Sequence, residues 1–282
     1  NIRIVPSTQK YCIDLDLLKK AIQKDKACGL NPKVVCGNGG ATNTGIVDPL
    51  EGLAEICQSE NIWFHVDASY GGFSVLTQEG KTSLEGIELA DSVTLDPHKW
   101  LFQPYEVGCL MVRDLQLLES AFRVTPDYLQ DMDLGLEHVN FCDRGLQLTR
   151  SARAFKIWVS VKTFGMKLFR EAIQNGLDLV RDADLYVRES DTLELMADAS
   201  LGIVCFIVNP RGFDLNKEEL EALNSAVLDD IVESGYAMIS STKLKGQFAL
   251  RLCVMNHTAR KEDVLGVLKT IEMTAERLAA CE

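Results

Sequence analysis

Hydrophobic and polar positions in the first two-thirds of the chain alternate between helical and strand-like patterns. Apolar residues recur at helical spacing over 14–25 and over 49–60, where Asp48 is expected to cap the helix and Pro49 to occupy its first position. Apolar runs of strand length lie between and after these helices, at 33–36, 61–67, 92–95 and 108–113. Strands separated by helices predict an α/β fold with a largely parallel sheet.

The pattern changes in the second half of the chain. Segment 125–148 is polar, contains Pro126 and two glycines, and has weak periodicity, which is typical of a functional loop. Residues 151–188 have helical periodicity. Beyond about Thr192, we predict strands at 201–208, 236–243 and 248–254, and helices at 216–234 (capped by Asp214 or Asn216) and 261–278. This order predicts a small α+β unit with an antiparallel sheet.

Composition excludes several classes of function. The chain has 29 Lys and Arg against 41 Asp and Glu, and its net charge of −12 argues against binding to the phosphate backbone of nucleic acid. No run of 18 apolar residues is present, so a membrane span is not expected. Nine scattered cysteines predict reduced thiols in the cytoplasm, and the four histidines have no metal-ligand spacing, so we expect no metal site.

The candidate chemistry lies in two segments that each follow a predicted strand. Asp96-Pro-His-Lys-Trp100 contains Lys99, which alone would be interpreted as a surface lysine, but a lysine with a lowered pKa is a nucleophile toward aldehydes. His65-Val-Asp-Ala-Ser-Tyr-Gly-Gly72 contains Asp67 at the carboxyl end of a strand, where open α/β sheets bind ligands. Asp67 alone would be interpreted as a turn cap. Together, the amine and the carboxylate suit pyridoxal 5'-phosphate (PLP), whose ring nitrogen needs a facing carboxylate.

These segments resemble the group II PLP-dependent decarboxylases, the family of aromatic amino acid, glutamate, histidine and diaminobutyrate decarboxylases. The family signature is a strand ending in H-V-D-A-x-x-G, followed by a P-H-K-W motif, and Asp67 and Lys99 are 32 positions apart. Segment 32–49 resembles the family's A-T-x-G-T-T-N-T-G-x-x-D-P segment, and the resemblance covers essentially the whole chain. It implies the α/β, type I PLP-dependent transferase fold with a small C-terminal α+β domain.

The resemblance also implies domain boundaries. Residues 1–170 would form the C-terminal part of the PLP-binding large domain, including a catalytic loop at about 125–148. Residues 171–190 would form a linking helix, and residues 191–282 would form the small C-terminal domain.

The resemblance implies a role for each matching residue. Lys99 would bind PLP as a Schiff base, Asp67 would pair with the ring nitrogen, and His98 would help to hold the phosphate. Thr42 would contact the cofactor, and Ser69, where the family usually has alanine, would lie beneath the ring. A packed strand-end histidine and an ordinary hydroxyl turn are the alternatives for His98 and Thr42.

Two further positions lie in or after the predicted loop. Tyr128, in Thr-Pro-Asp-Tyr-Leu, matches the mobile loop of the aromatic amino acid decarboxylases, which implies that it protonates the carbanion after carbon dioxide leaves. A phenylalanine there is associated with aldehyde synthases, so the tyrosine favours simple decarboxylation; a loop anchor is the alternative. Arg150 lies in a segment similar to the family's L-G-R-R, which implies that it supports the active-site loop or the interface. The alternative is an ordinary, solvated position at the N-terminus of a helix.

The chain departs from the family pattern at Gly37, Asn38 and Ala41, where added glycine is expected to loosen the loop. The family's stacking histidine and phosphate loop lie upstream of the point where this sequence begins, at Asn1, so we interpret the chain as N-terminally incomplete. The resemblance implies decarboxylation of an L-amino acid, most simply an aromatic one, by a homodimer or with a complementary chain that supplies the missing half. The alternatives are an aldehyde synthase, a glutamate or diaminobutyrate decarboxylase, and an inactive fragment or one subunit of a split enzyme.

Overall fold

The computed structural model describes residues 2–123 and 139–280. Its α-helices are α1 Leu15–Ala27, α2 Leu50–Glu60, α3 Gln78–Ser83, α4 Leu115–Phe122, α5 Arg153–Glu189, α6 Lys217–Glu233 and α7 Lys261–Ala279. Its strands are β1 Val34–Asn38, β2 Trp63–Asp67, β3 Ser92–Leu95, β4 Cys109–Val112, β5 Leu193–Leu195, β6 Ile203–Val208, β7 Ser240–Leu244 and β8 Gln247–Cys253. Within these ranges, no helix combines the length and the apolar character that a membrane span requires.

The first sheet has the strand order β1-β2-β3-β4. Strands β1, β2 and β3 are parallel, and β4 runs antiparallel to β3. Every second residue of β1 and β2 is buried, which is the pattern of a strand with one covered face. The buried residues of both strands belong to one core cluster with apolar residues of α1 and α2. The predicted, largely parallel sheet is confirmed, and the carboxyl ends of three neighbouring strands meet at one edge.

The start of α2 differs from the sequence prediction. Asp48 does not cap the helix; Pro49 is the N-cap residue and makes no side-chain cap hydrogen bond. The Asp48 carboxylate, only 6% exposed, instead accepts hydrogen bonds from the backbone N–H of Ile13 (2.7 Å) and from the backbone (2.8 Å) and side chain (3.0 Å) of Asn38. The prediction was wrong because a buried carboxylate is stabilised more by three hydrogen-bond donors from two chain segments than by the single bond of a helix cap.

The second sheet, of order β5-β6-β8-β7, is antiparallel throughout, as the sequence predicted. Every residue of β6 is buried, and α6, α7 and the C-terminal part of α5 pack over the core that includes Val204 and Phe206. Of the two predicted caps for α6, Asn216 is the one observed, in a capping box with Glu219. Strand β5 was not predicted, and the domain boundaries themselves stay a prediction.

A shared aromatic cluster joins the two sheets. Tyr70 and Trp100 pack against Ile173 of α5 and against Leu201 and Ile203 around the start of β6. The two aromatic rings meet edge to face at 6.0 Å, and the Tyr70 hydroxyl donates to the backbone carbonyl of Leu201 at 2.7 Å. Trp100 is 1% exposed. This cluster therefore fixes the chain next to the residues that carry the candidate chemistry.

Candidate active site

The candidate site lies at the carboxyl ends of β2 and β3. Asp67 is the last residue of β2 and pairs in register with Thr94 of β3. Lys99 follows β3 in a turn closed by its own backbone N–H, which donates to the carbonyl of Asp96 at 2.9 Å. Since β2 and β3 are parallel neighbours, the two segments that carry the predicted carboxylate and amine emerge at the same edge of the sheet.

The Asp67 carboxylate is held by two donors on one oxygen. Its Oδ1 accepts from the backbone N–H of Ser69 and from the hydroxyl of Thr94, both at 3.1 Å, and the Ser69 hydroxyl donates to Thr94 Oγ1 at 3.3 Å. Burial alone would raise the pKa of Asp67, but the hydrogen bonds from Ser69 and Thr94, with the nearby His65, more than offset it and lower this pKa. The carboxylate is therefore anionic at neutral pH and has a fixed orientation.

Lys99 has a carboxylate partner that the sequence analysis did not single out. Its Nζ lies 2.9 Å from Oδ2 of Asp96, with the two side chains 30% and 23% exposed. Asp96 stands in the motif that contains Lys99, and a spacing of three residues within a turn was the signal that could have identified the pair. Next in the chain, Trp100 is buried in the shared aromatic cluster and fixes the turn.

His98 is mostly buried, with one ring nitrogen bound to the backbone and the other near a carboxylate. Its Nδ1 donates to the backbone carbonyl of Val107 at 2.7 Å, and its ring lies 4.6 Å from the ring of Tyr105. Its Nε2 is 3.8 Å from Asp96 Oδ2. Because Nδ1 is committed to the backbone, Nε2 is the nitrogen that can meet an external anion such as a phosphate.

Thr42 is exposed in a turn that follows β1, in which the N–H of Ala41 donates to the carbonyl of Ile46 at 2.9 Å. Side chains of the second sheet region hold this turn: the Ser200 hydroxyl donates to the Gly45 carbonyl at 2.9 Å, and the Cys205 thiol lies 3.0 Å from the Asn43 carbonyl. The turn is thus anchored from outside the first sheet.

The departures from the family pattern at Gly37 and Asn38 do not loosen a loop, as the sequence analysis expected. Both residues belong to β1, and a methyl group on Gly37 would lie 2.6 Å from Leu53 Cδ1, so the missing side chain admits α2. Asn38 gives two donors to Asp48. Gly37 is buried, and Asn38 is exposed but is fixed by its two hydrogen bonds to Asp48. The expectation was wrong because both positions belong to a strand and not to the loop that follows it.

Tyr128 lies outside the described residues, so its role stays a prediction. The guanidinium of Arg150 lies 5.9 Å from the ring centroid of Phe141, a cation–π arrangement just before α5. At the start of that helix, Arg153 pairs with Glu106 at 2.8 Å. Arg153 therefore connects the start of α5 to the segment before β4, and Arg150 contacts the segment after α4.

The residues present fit a pyridoxal-type cofactor. The site offers a carboxylate that is kept anionic by Ser69 and Thr94, a primary amine on Lys99 and an imidazole nitrogen on His98 that can meet a phosphate. These are the groups that the ring nitrogen, the aldehyde and the phosphate of PLP require.

Comparisons with known proteins agree with this arrangement. Residues 1–209 match the family model described as the pyridoxal-dependent decarboxylase conserved domain. The chain is 39% identical over 268 residues to the aromatic-L-amino-acid decarboxylase of Bacillus atrophaeus, which covers 95% of this chain and 56% of that protein. It is 30% identical over 280 residues to the L-2,4-diaminobutyrate decarboxylase of Acinetobacter baumannii, covering 97% of this chain and 53% of that protein.

A crystal structure of Oryza sativa TDC with PLP and tryptamine has a TM-score of 0.92 and 28% identity, and covers 99% of this chain and 58% of that one. The chain therefore belongs to the pyridoxal-dependent decarboxylase family, and the predicted type I PLP fold is confirmed. It spans a little over half the length of these relatives.

Replacing Thr94 by valine is expected to raise the pKa of Asp67, because the carboxylate loses one of its two donors. A carboxylate with a lowered folded-state pKa stabilises the fold above its ordinary pKa of about 3.9, and this contribution is lost as the pH falls through the folded value. In Thr94→Val the folded pKa lies closer to the ordinary one. As the pH falls from the ordinary pKa to the folded pKa, the variant should therefore lose less free energy of unfolding than the wild type. Carbon-13 NMR titration of the Asp67 carboxyl group measures the change. Thr242→Val in β7 is the matched control, and an unchanged Asp67 titration in Thr94→Val would contradict the assignment.

Proposed function

We propose that this chain carries the lysine half of the active site of a PLP-dependent enzyme that converts an L-amino acid, preferentially an aromatic one, to its amine and carbon dioxide. The observation that carries the proposal is the placement of an anionic Asp67 and of the Lys99 turn at the ends of neighbouring parallel strands, in a chain of the pyridoxal-dependent decarboxylase family. The aromatic preference is supported by the identity to the Bacillus atrophaeus protein.

Each site residue has a distinct task in this proposal. Lys99 would hold the cofactor through its amine, at the position that the substrate amine would take in turn. Asp67 holds a proton at the ring nitrogen, because its carboxylate stays anionic and is oriented by Ser69 and Thr94. When bound, PLP withdraws electrons from the substrate's α-carbon, which makes the loss of carbon dioxide possible.

The remaining predicted residues surround this pair. His98 presents Nε2 to the phosphate while Val107 holds its other nitrogen, and Ser69 packs beneath the ring. Thr42 contacts the cofactor from its turn. Tyr128 returns a proton to the substrate carbon, since a phenol is a weak acid that a closing loop can position. Arg150 supports that loop.

We propose that the chain acts as a homodimer, with a complementary chain as the alternative partner. The first part of α5, before the non-helical Gly165, exposes large apolar side chains, including Phe155, Trp158 and Phe164. The rings of Phe155 and Trp158 stack at 5.9 Å, and exposed apolar side chains that pack together in this way are typical of an interface. Sedimentation equilibrium of the purified chain tests this: a mass of two chains supports the homodimer, and a concentration-independent mass of one chain contradicts it.

A reducing, cytoplasmic location is part of the proposal. Each of the eight cysteines within 2–123 and 139–280 is free, which suits a compartment that keeps thiols reduced. Burial raises the pKa of Cys57 and of Cys205 to about 11, so these two thiols are also unreactive at neutral pH.

The test of the function is product analysis. The purified chain is supplied with PLP and with aromatic L-amino acids, L-histidine, L-glutamate or L-2,4-diaminobutyrate, and carbon dioxide, amine, aldehyde and peroxide are measured. Amine and carbon dioxide from an aromatic substrate support the proposal. Aldehyde with ammonia and peroxide would support an aldehyde synthase, and faster turnover of diaminobutyrate would change the substrate class. If the chain takes up no PLP and forms no product, the proposal for this chain is contradicted.

A further inference from the structure

The Asp96 carboxylate stands between the two residues expected to meet the cofactor. One of its oxygens, Oδ2, lies 2.9 Å from Lys99 Nζ and 3.8 Å from His98 Nε2. The other, Oδ1, faces Gly108, the residue before β4, where a methyl group would lie 3.4 Å from it. The carboxylate is therefore partly buried, with one oxygen facing residues of its own turn and the other facing Gly108.

This placement gives Asp96 a use distinct from that of Asp67. Asp67 lies at the end of β2 and is bound by Ser69 and Thr94, whereas Asp96 engages the amine directly. An ammonium group that is bound to a carboxylate is not a nucleophile. Covalent capture of an aldehyde forms a C=N bond to Nζ and releases one water, and it requires that the ammonium proton first pass to solvent.

We propose that Asp96 is a positioning residue that holds the Lys99 ammonium beside His98, so that Lys99 reacts with an aldehyde only after it leaves this carboxylate. This inference rests on the proposed function in one respect, namely that the aldehyde is PLP. The hold itself rests only on the geometry of the turn. Asp96 thereby sets the rate at which the site is loaded.

The test measures the reactivity of Lys99 without any cofactor. Wild type and Asp96→Asn are treated with a limiting amount of N-hydroxysuccinimidyl acetate, and acetylation of Lys99 is followed by peptide mass spectrometry. We expect acetylation of Lys99 to be about two- to fivefold faster in Asp96→Asn, the change expected for the loss of one partly exposed ion pair. Asp96→Glu keeps the charge and is expected to restore a rate close to that of the wild type.

A second lysine–aspartate pair provides the matched control. Lys261 of α7 lies 2.7 Å from Asp182 of α5, in a pair that is also partly exposed. Asp182→Asn should accelerate acetylation of Lys261 and leave Lys99 unchanged, and Asp96→Asn should do the reverse. Equal acceleration of both lysines in Asp96→Asn would indicate general loosening of the fold and would overturn the proposal, as would an unchanged or slower reaction of Lys99.

Borohydride trapping with PLP links the result to the function. If Asp96 controls loading, the initial rate of covalent PLP capture by Lys99 rises by a similar factor in Asp96→Asn. A rise in acetylation without capture of PLP by any variant would leave the Asp96 hold in place and would instead count against the proposed function. Faster acetylation with unchanged PLP capture would overturn the claim that Asp96 sets the loading rate.

Discussion

Replacing Lys99 by alanine is expected to abolish covalent uptake of PLP and to lower any decarboxylase activity by at least about a thousandfold. The amine is the group in the Asp96–Trp100 turn that can react with an aldehyde, and alanine removes it without touching Trp100, whose burial fixes the turn. The visible absorption spectrum of the purified chain with added PLP, and intact mass after borohydride reduction, measure the uptake.

Lys261→Ala is the control for this experiment. Lys261 also pairs with an aspartate, but it lies at the start of α7, in the C-terminal α+β region. The control should retain the absorption band and the mass increase of the wild type. An absorption band that persists at wild-type strength in Lys99→Ala would show that another lysine anchors the cofactor, and the assignment of Lys99 would be wrong.

Replacing Gly202 by alanine is expected to lower the free energy of unfolding by about 3 kcal/mol. Gly202 has a φ of +84°, which disfavours any side chain, and a methyl group there would lie 2.5 Å from Cζ2 of Trp100. The indole cannot easily retreat, because Gly176 of α5 faces the same ring, with a methyl position 3.3 Å from Cζ3. Urea denaturation followed by circular dichroism measures the loss.

Gly235→Ala separates backbone strain from the clash. Gly235 also has a positive φ, +70°, but no heavy atom lies within 4 Å of the position of its methyl group. It should therefore cost only about 1 kcal/mol. If the two variants lost the same amount of stability, the contact between Gly202 and Trp100 would carry no energy, contrary to the expectation.

The sequence predicted the parts of the fold that depend on local pattern. Strand β3 was predicted with its observed bounds, and Asp67 was correctly placed at the end of β2. Strand β6 begins two residues later than predicted because Leu201 and Gly202 both have positive φ, so the apolar run enters its strand through a turn. Apolar pattern alone does not distinguish such a turn from the strand itself.

The sequence did not predict the partners of the site residues. Thr94 supports Asp67 because β2 and β3 pair in a register that places these two residues side by side, and register depends on tertiary packing. Asp48 is a second case in which tertiary contacts decide the partners of a side chain. Its position before Pro49 has the local signature of a helix cap, yet contacts with Ile13 and Asn38 decide where its carboxylate lies.

The shared aromatic cluster has a consequence for how the molecule unfolds. Ser69 and Lys99 are each followed by an aromatic residue, Tyr70 or Trp100, whose ring packs against the chain that enters β6. Opening of the second sheet would remove packing partners that both rings share and would loosen both site segments together. The site and the C-terminal sheet are therefore expected to belong to one cooperative unit in amide hydrogen exchange, and a ligand held at Lys99 should slow exchange in strands that it never touches.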